Sequence, residues 1–529
     1  MALAALVTAC GAESDGSALT PPAESDLLVT TEPATGPVGQ VDWMLTAEPV
    51  TLDPDLDSGN NEDTVTGNVC ERLFQTQPDL SVEPHLATSV DRPDPTTIIY
   101  TLRDDVTFHD GSPMTADDVV WSLERHARDG GDESDEFEAV ESIEATGEHE
   151  VTIRLSAPDA LFDMRMAGNG GIVYNSRAVQ AAGDDFGSPQ SGDACSGPYE
   201  VTEWQAGSSL TITRYDEYWD DSVDGLAESV TFRWAEGSAL VNALTSGDAD
   251  AAFLSEPSAA APLAESDTVS TYYGATTTSW QLFPTTKGAV VDPRIRTALS
   301  LAMDREGIAK AAFAGGAEPW RLPVGPGSWG YERETFDAAY DAVDVAPSSP
   351  SEDDIARAKD LVSEAGDPGT IVVGSDGTPV NTVIANAVRS AAQEIGLEVE
   401  ITSMSEAQWG ELFSSEEARQ GVDLFITDWY LSKPDPIGMY DNLLSGSVNN
   451  YIGFADPEYD EVVNQAIGEY DEATRAELAV RAQEIWMDNM LTIPLVMAPN
   501  TLVLSKELTG VPVAVAYLSY PWAADLGKS

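Results

Sequence analysis

The sequence predicts an α/β protein large enough to hold two or three separate cores. Between residues 351 and 427, helical stripes alternate with short apolar strands, the pattern of sheets flanked by helices. Residues 98–125 read as strand, tight turn and capped helix, a second unit of the same kind. A chain of 529 residues with 42% hydrophobic side chains also exceeds what one core usually holds.

Order is expected to begin near Val41. Thr51-Leu52-Asp53-Pro54 closes a first strand, and residues 68–74 read as helix. The acids of the run 53–59 have a spacing close to a calcium loop. Gly59 stands one place late and Thr64 replaces the bidentate glutamate, so a solvated acidic loop is expected and no metal. Ile98, Tyr100 and Leu102 alternate with Ile99, Thr101 and Arg103. Asp110-Gly111 marks a turn, because glycine tolerates positive φ. Thr115 lies three residues before Asp118, the spacing of a capping box, and Val119, Val120 and Leu123 follow at helical spacing. Residues 130–148 read as an acidic loop and 151–155 as a strand. Leu210 and Ile212 belong to another strand, as do residues 230–234.

Further on, Asp292 is an N-cap with Pro293 at the first helical position, and Ile295, Leu299, Ala302 and Met303 share a face. Residues 311–330 are rich in aromatics, Gly and Pro, hence loop. Ser351 caps a helix that stops at Gly366. Strands follow at 371–373, 397–401 and 424–427, separated by a helix from Val380 to Gly396. Asp456-Pro457 caps another helix, and residues 472–490 form the last long one. This alternation predicts a mainly parallel sheet with right-handed crossovers.

Charge excludes some partners. With 91 acidic and 26 basic residues, the net of −65 repels nucleic acid and anionic membrane surfaces. It fits either solubility in a salty medium or a receptor for cationic ligands. The chain has only six lysines, which points to a bias of the whole proteome. The four histidines, His85, His109, His126 and His149, accompany no nucleophile motif, and no G-x-S-x-G or H-E-x-x-H occurs. Gly325 to Gly330 fits G-x-G-x-x-G formally but joins no strand to a helix, so it reads as a loop. No enzyme activity, cofactor or metal is expected.

The wording of one stretch is specific. Residues 108–125, F-H-D-G-S-P-M-T-A-D-D-V-V-W-S-L-E-R, resemble the signature of the family 5 extracellular solute-binding proteins, the dipeptide-, oligopeptide- and nickel-binding receptors of ABC importers. Thr51 to Pro54, Pro84-His85-Leu86-Ala87, Gly197-Pro198-Tyr199, the string from Asp292 to Arg305 and Ile493-Pro494-Leu495 resemble further family elements in the same order. The resemblance implies an α/β, two-lobed periplasmic-binding-protein fold (type II, cluster C-like), with a two-strand hinge and an extra subdomain in the first lobe. It divides the chain into a signal-peptide end and lipobox (1–10), a disordered tether (11–40), a first lobe (41–272, with a subdomain inserted at about 81–190), a second lobe (273–492) and a return to the first lobe (493–529). Leu6 to Cys10 resembles a bacterial lipobox, which would make Cys10 the lipidated N-terminus, although the apolar stretch is short and lacks a basic region before it. In an exported protein the remaining pair, Cys70 and Cys195, is expected as a disulfide, with two buried thiols as the alternative.

The resemblance also places a ligand cleft between the lobes. Trp429 and Tyr430 follow the strand 424–427 at its C-terminal end, where open α/β sheets place ligands. Trp280, Trp320 and Trp329 lie in loops where aromatics stack on ligands. The loop after Asp53 lies beside the cleft in the family. Peptide-binding members hold the peptide's α-ammonium with an Asp three residues after the tryptophan; here that place is Ser432, followed by Lys433. Asp435 or Asp428 could take that role, or the ligand lacks an α-amine, and Lys433 could meet an anionic group. The ligand set is therefore Asp53, Trp280, Trp320, Trp429, Tyr430, Ser432 and Asp435. The expectation is a monomeric, lipid-anchored, extracytoplasmic receptor (periplasm or outer face of the membrane). It captures a small solute, a peptide first, and passes it to a membrane permease. An oligosaccharide or other non-peptide solute remains open, as does a secreted hydrolase.

Overall fold

The computed structural model describes residues 19–254, 257–366, 369–429, 431 and 433–529. Two mixed sheets organise it. Val38–Leu45 is central in a seven-stranded sheet and runs parallel to both neighbours, Ala227–Trp234 and Ala251–Leu254. Such a strand is covered on both faces, and Val41 and Trp43 have no exposed surface. The second sheet has six strands, with Trp280–Pro284 and Leu424–Asp428 as antiparallel neighbours near its middle. The helices Pro293–Ala302, Glu352–Ala365 and Pro379–Glu394 pack together beside it.

The chain leaves the first sheet after Val269–Gly274 and enters the second at Trp280–Pro284; it leaves the second after Ile493–Met497 and returns at Asn500–Ser505. These two crossings are the only covalent links between the sheets among the described residues. The strand Ile493–Met497 pairs within the second sheet. The return therefore lies at 498–499 and not at 493. The expected mainly parallel sheet is mixed: Thr370–Ser375 runs parallel to Glu398–Ser403 and Leu424–Asp428, while the pairings around Trp280–Pro284 and Ile493–Met497 are antiparallel. Those two strands are delivered by the crossings, which local alternation cannot reveal.

A four-stranded antiparallel sheet, Ala87–Asp94, Thr97–Leu102, Glu150–Leu155 and Val140–Gly147, forms an added subdomain with its own core. The helix Ala116–His126 closes it, burying Val119 and Leu123. Its capping box is formed as expected, with Thr115 accepting from the Asp118 N–H. Asp292 and Ser351 also cap their helices as expected.

Four local expectations change, one being that Val140–Gly147, read within an acidic loop, is a strand. The helix placed at 68–74 is Asn60–Val69, and Phe74–Thr76 is a strand. That helix buries Glu62, Asp63, Thr64, Thr66 and Asn68, so no apolar stripe marks it. Residues 19–40, expected as part of a tether, run along the body. Leu28 N donates to Tyr273 O at 2.7 Å, Thr31 N to Val511 O at 2.9 Å and Thr35 N to Lys528 O at 2.8 Å. An extended, proline-containing segment offers backbone groups to free edges, which composition alone hides. Asp53 and Asp55, expected in a solvated loop, are buried: Arg125 bonds both and His126 bonds Asp55. Burial pushes the Asp55 carboxyl up, but His126 and Arg125 outweigh it and hold it below the usual range.

Cys70, which ends the helix Asn60–Val69, is disulfide-bonded to Cys195, with Cα atoms 4.8 Å apart. Cys10 lies outside the described residues. Among the described residues no helix is long and apolar enough to cross a membrane.

Candidate functional site

A cavity of about 990 Å³ lies between the two sheets. Both crossings border it, through Thr276 to Thr278 and Ala498 to Asn500. Each lobe then supplies one wall of different chemistry.

The second lobe supplies aromatic rings. Trp280 and Asp428 face each other across the antiparallel pair, so both reach the cavity from the same edge of the sheet. Trp429 continues from Leu424–Asp428 and stacks on Phe283 at 5.5 Å. Phe413 and Tyr451 lie 6.1 and 6.0 Å from it and also line the cavity. The rings brace one another, so little side-chain freedom is left to lose when a solute binds.

The first lobe supplies acids. Asp57, Asp132, Glu133, Asp135 and Glu136 line the opposite wall, beside polar Asn60, Asn61 and Thr64. Asp428 adds one carboxylate from the aromatic side. The residue keeps exposed surface within the cavity yet lies deep between the lobes, and burial raises its pKa. Asp135 is raised to about 6, first by burial and then by Glu136 beside it, with Lys433 and Arg165 pulling back.

The walls meet at an ion network. Lys433 of the second lobe donates to Glu136 of the first at 2.9 Å and lies 3.6 Å from Asp441. Arg165 of the first lobe bonds Glu136, reaches Asp159 at 3.1 Å and lies 3.6 Å from Asp441. Burial alone would lower the pKa of Lys433; Asp441, Glu136 and Asp135 outweigh that and raise it. The backbone joins the lobes nearby, Ala160 N donating to Ile467 O at 2.7 Å. The structure is thus a closed arrangement, with the lobes touching through Lys433–Glu136 and Ala160–Ile467.

The expected ligand set divides. Trp280 and Trp429 line the cavity. Asp53 does not, because Arg125 holds its carboxylate. Trp320 does not either: it is buried in the second-lobe core, donates to Val324 O at 2.7 Å and packs on Tyr340 at 4.4 Å. Asp435 is fully buried, bonded to Arg475 at 3.2 Å and accepting from the Ile437 N–H at 2.9 Å, so it is structural. Tyr430 and Ser432 lie outside the described residues. Lys433, offered for an anionic group of the solute, is instead a buried interlobe contact to Glu136. Sequence reasoning missed the acids at 132–136, Phe413 and Tyr451. The acids stood in a segment read as loop, and a chain with 91 acids gives such a cluster no contrast.

Two lobes joined by two crossings around a walled cavity define a cleft-type binding protein. Residues 81–451 match the family described as "Bacterial extracellular solute-binding proteins, family 5 Middle". The chain belongs to that family, whose members bind solutes outside the cytoplasm. Among curated proteins it is 26% identical over 478 residues to the probable D,D-dipeptide-binding periplasmic protein DdpA of Escherichia coli K12, covering 88% of this chain and 89% of that one. It is 24% identical to the oligopeptide-binding protein OppA of Bacillus subtilis, covering 88% of each. Among solved structures, AgaA of A. tumefaciens R10 in complex with agropinic acid superposes with a TM-score of 0.79 at 22% identity, covering 93% of this chain and 99% of that one. The oligopeptide-binding protein AppA of Bacillus subtilis, in complex with a nonapeptide, gives 0.77 at 19%, covering 94% and 100%. These similarities establish the two-lobed α/β fold.

Proposed function

We propose that this protein is the substrate-binding receptor of an ABC-type importer, and that it captures a peptide between its lobes and delivers it to a membrane permease. The observation that carries the reading is the interlobe cavity, walled by both lobes and bordered by both crossings. Its volume, about 990 Å³, suits a short peptide. The names of the relatives support the peptide class.

The mechanism is a population shift. Contacts to the acidic and the aromatic walls exist together only when the lobes are closed, so a solute that makes both favours closure. The guest leaves unchanged, since no covalent step is involved. Trp280 and Trp429 hold its apolar body. The protein acts as a monomer, tethered to the membrane by lipid on Cys10.

The test is a melting-temperature panel of di- to pentapeptides, opines and oligosaccharides, with each mixture assayed for product. A peptide-dependent rise without product is expected. Product formation, or stabilisation by sugars alone, would count against the reading.

A further inference from the structure

We infer that the cavity selects cationic solutes, and that the Glu133 carboxylate, presented by the first lobe, anchors an ammonium or guanidinium group of the solute other than a peptide's own α-ammonium. This rests on the reading of the cavity as the solute site and adds the charge class of the solute.

The first support is the balance of charge on the walls. Six acids line the cavity, Asp57, Asp132, Glu133, Asp135, Glu136 and Asp428. Among the described lining residues the one cation is Lys433, and it is engaged by Glu136 and Asp441. No described arginine or histidine lines the cavity; Arg165 acts on Glu136 and Asp135 from outside the lining, and no lining cation is left to receive an anionic group.

The second support is Glu133 itself. It is 7% exposed and lines the cavity, and among the described residues none donates a hydrogen bond to its carboxylate. The charges that act on it most strongly are those of Glu136, Asp63, Asp135 and Asp55, all acids. Burial, then these like charges, push its pKa well above the ordinary value. A largely buried carboxylate held among like charges and open only to the cavity is costly to ionise, and a cation from the solute supplies a partner there. Two first-lobe guanidinium groups are committed to other acids: Arg125 bonds Asp53 and Asp55, and Arg165 bonds Glu136 and Asp159.

The third support is the opposite wall. Trp429 and Trp280 face the acids with aromatic surface that suits the apolar stem of a long cationic side chain.

Calorimetric titration of the full chain with trilysine, trialanine, triglutamate and spermidine, at one pH and salt concentration, tests this. Trilysine is expected to bind tightest and triglutamate weakest. Glu133→Gln is expected to weaken trilysine roughly thirtyfold while leaving trialanine within about twofold. Asp135→Asn, at a position open to the cavity, serves if Glu133→Gln does not fold, with an expected loss of about threefold for trilysine. Spermidine binding without tripeptide binding would uphold the charge class and overturn the peptide reading. Preference for trialanine or triglutamate would overturn the inference and leave the receptor reading standing. An unchanged trilysine affinity in both variants would overturn the role of the acidic wall, and no binding by any probe would overturn both readings.

Discussion

The two walls of the cavity are built by opposite rules. The second-lobe wall is braced by its own rings: Trp429, Phe283, Phe413, Phe425 and Tyr451 pack in one cluster. The first-lobe wall is incomplete. Its acids crowd together, and Glu133 has no donor among the described residues. A wall of packed rings gives area without charge discrimination, whereas a wall of crowded acids gives discrimination at a cost in stability. That contrast separates how tightly a solute binds from which solute binds.

The largest effect tests whether residues belong to either wall at all. Asp435 is buried and paired with Arg475, so Asp435→Ala should lower unfolding free energy by about 3–5 kcal/mol, because it strands a buried charge. Chemical denaturation measures this. If folded Asp435→Asn protein also loses solute affinity, Asp435 belongs to the site and the division of the walls is wrong.

Next, Trp429→Ala should weaken cationic and neutral solutes alike, by about 2 kcal/mol, since aromatic area ignores charge. A loss confined to cations, seen by titration calorimetry, would blur the contrast.

Acidity acts on the wall's foundations. Glu62 and Asp63, on the helix behind the acids, are each raised by burial to about 7. The folded state then holds protons that the unfolded chain releases. Their contribution to stability is full below the unfolded values, near 4, and is lost as pH rises through about 7. His109 is also raised: burial pulls it down, but Asp193 outweighs that, so its contribution has the same sign. The depressed carboxyl of Asp55 acts only below the ordinary carboxylate range. The denaturation midpoint should therefore fall between pH 5.5 and pH 8.5, and Asp63→Asn should flatten that fall.

The smallest effect concerns the seam between the walls. Lys433→Met removes one cation from the network and leaves Arg165 on Glu136. The empty protein should open more readily, at about 1 kcal/mol, and solute affinity should fall roughly fivefold. Distance distributions between spin labels on the two lobes measure the opening.

Much of the fold was legible because its signals are local. Thr115 and Asp118 are three residues apart, and Asp292 stands directly before Pro293, so the caps and helix starts were readable. The helix Asn60–Val69 was not, because it buries polar groups and carries no apolar period. Among the site residues, Trp280 and Trp320 looked alike in sequence; one lines the cavity and the other fills a core. Asp435 looked available because Arg475, its partner, is forty residues away. The acidic wall was hidden for a different reason: in a chain of net charge −65, local acid density carries no signal until geometry shows which acids lack partners.

Small-angle X-ray scattering during a trilysine titration tests the central claim most directly, with the solute's mass checked afterwards. The account predicts one saturable step at one solute per chain, a smaller radius of gyration at saturation, and trilysine recovered intact. Saturation without any compaction, or recovery of lysine fragments, would contradict it.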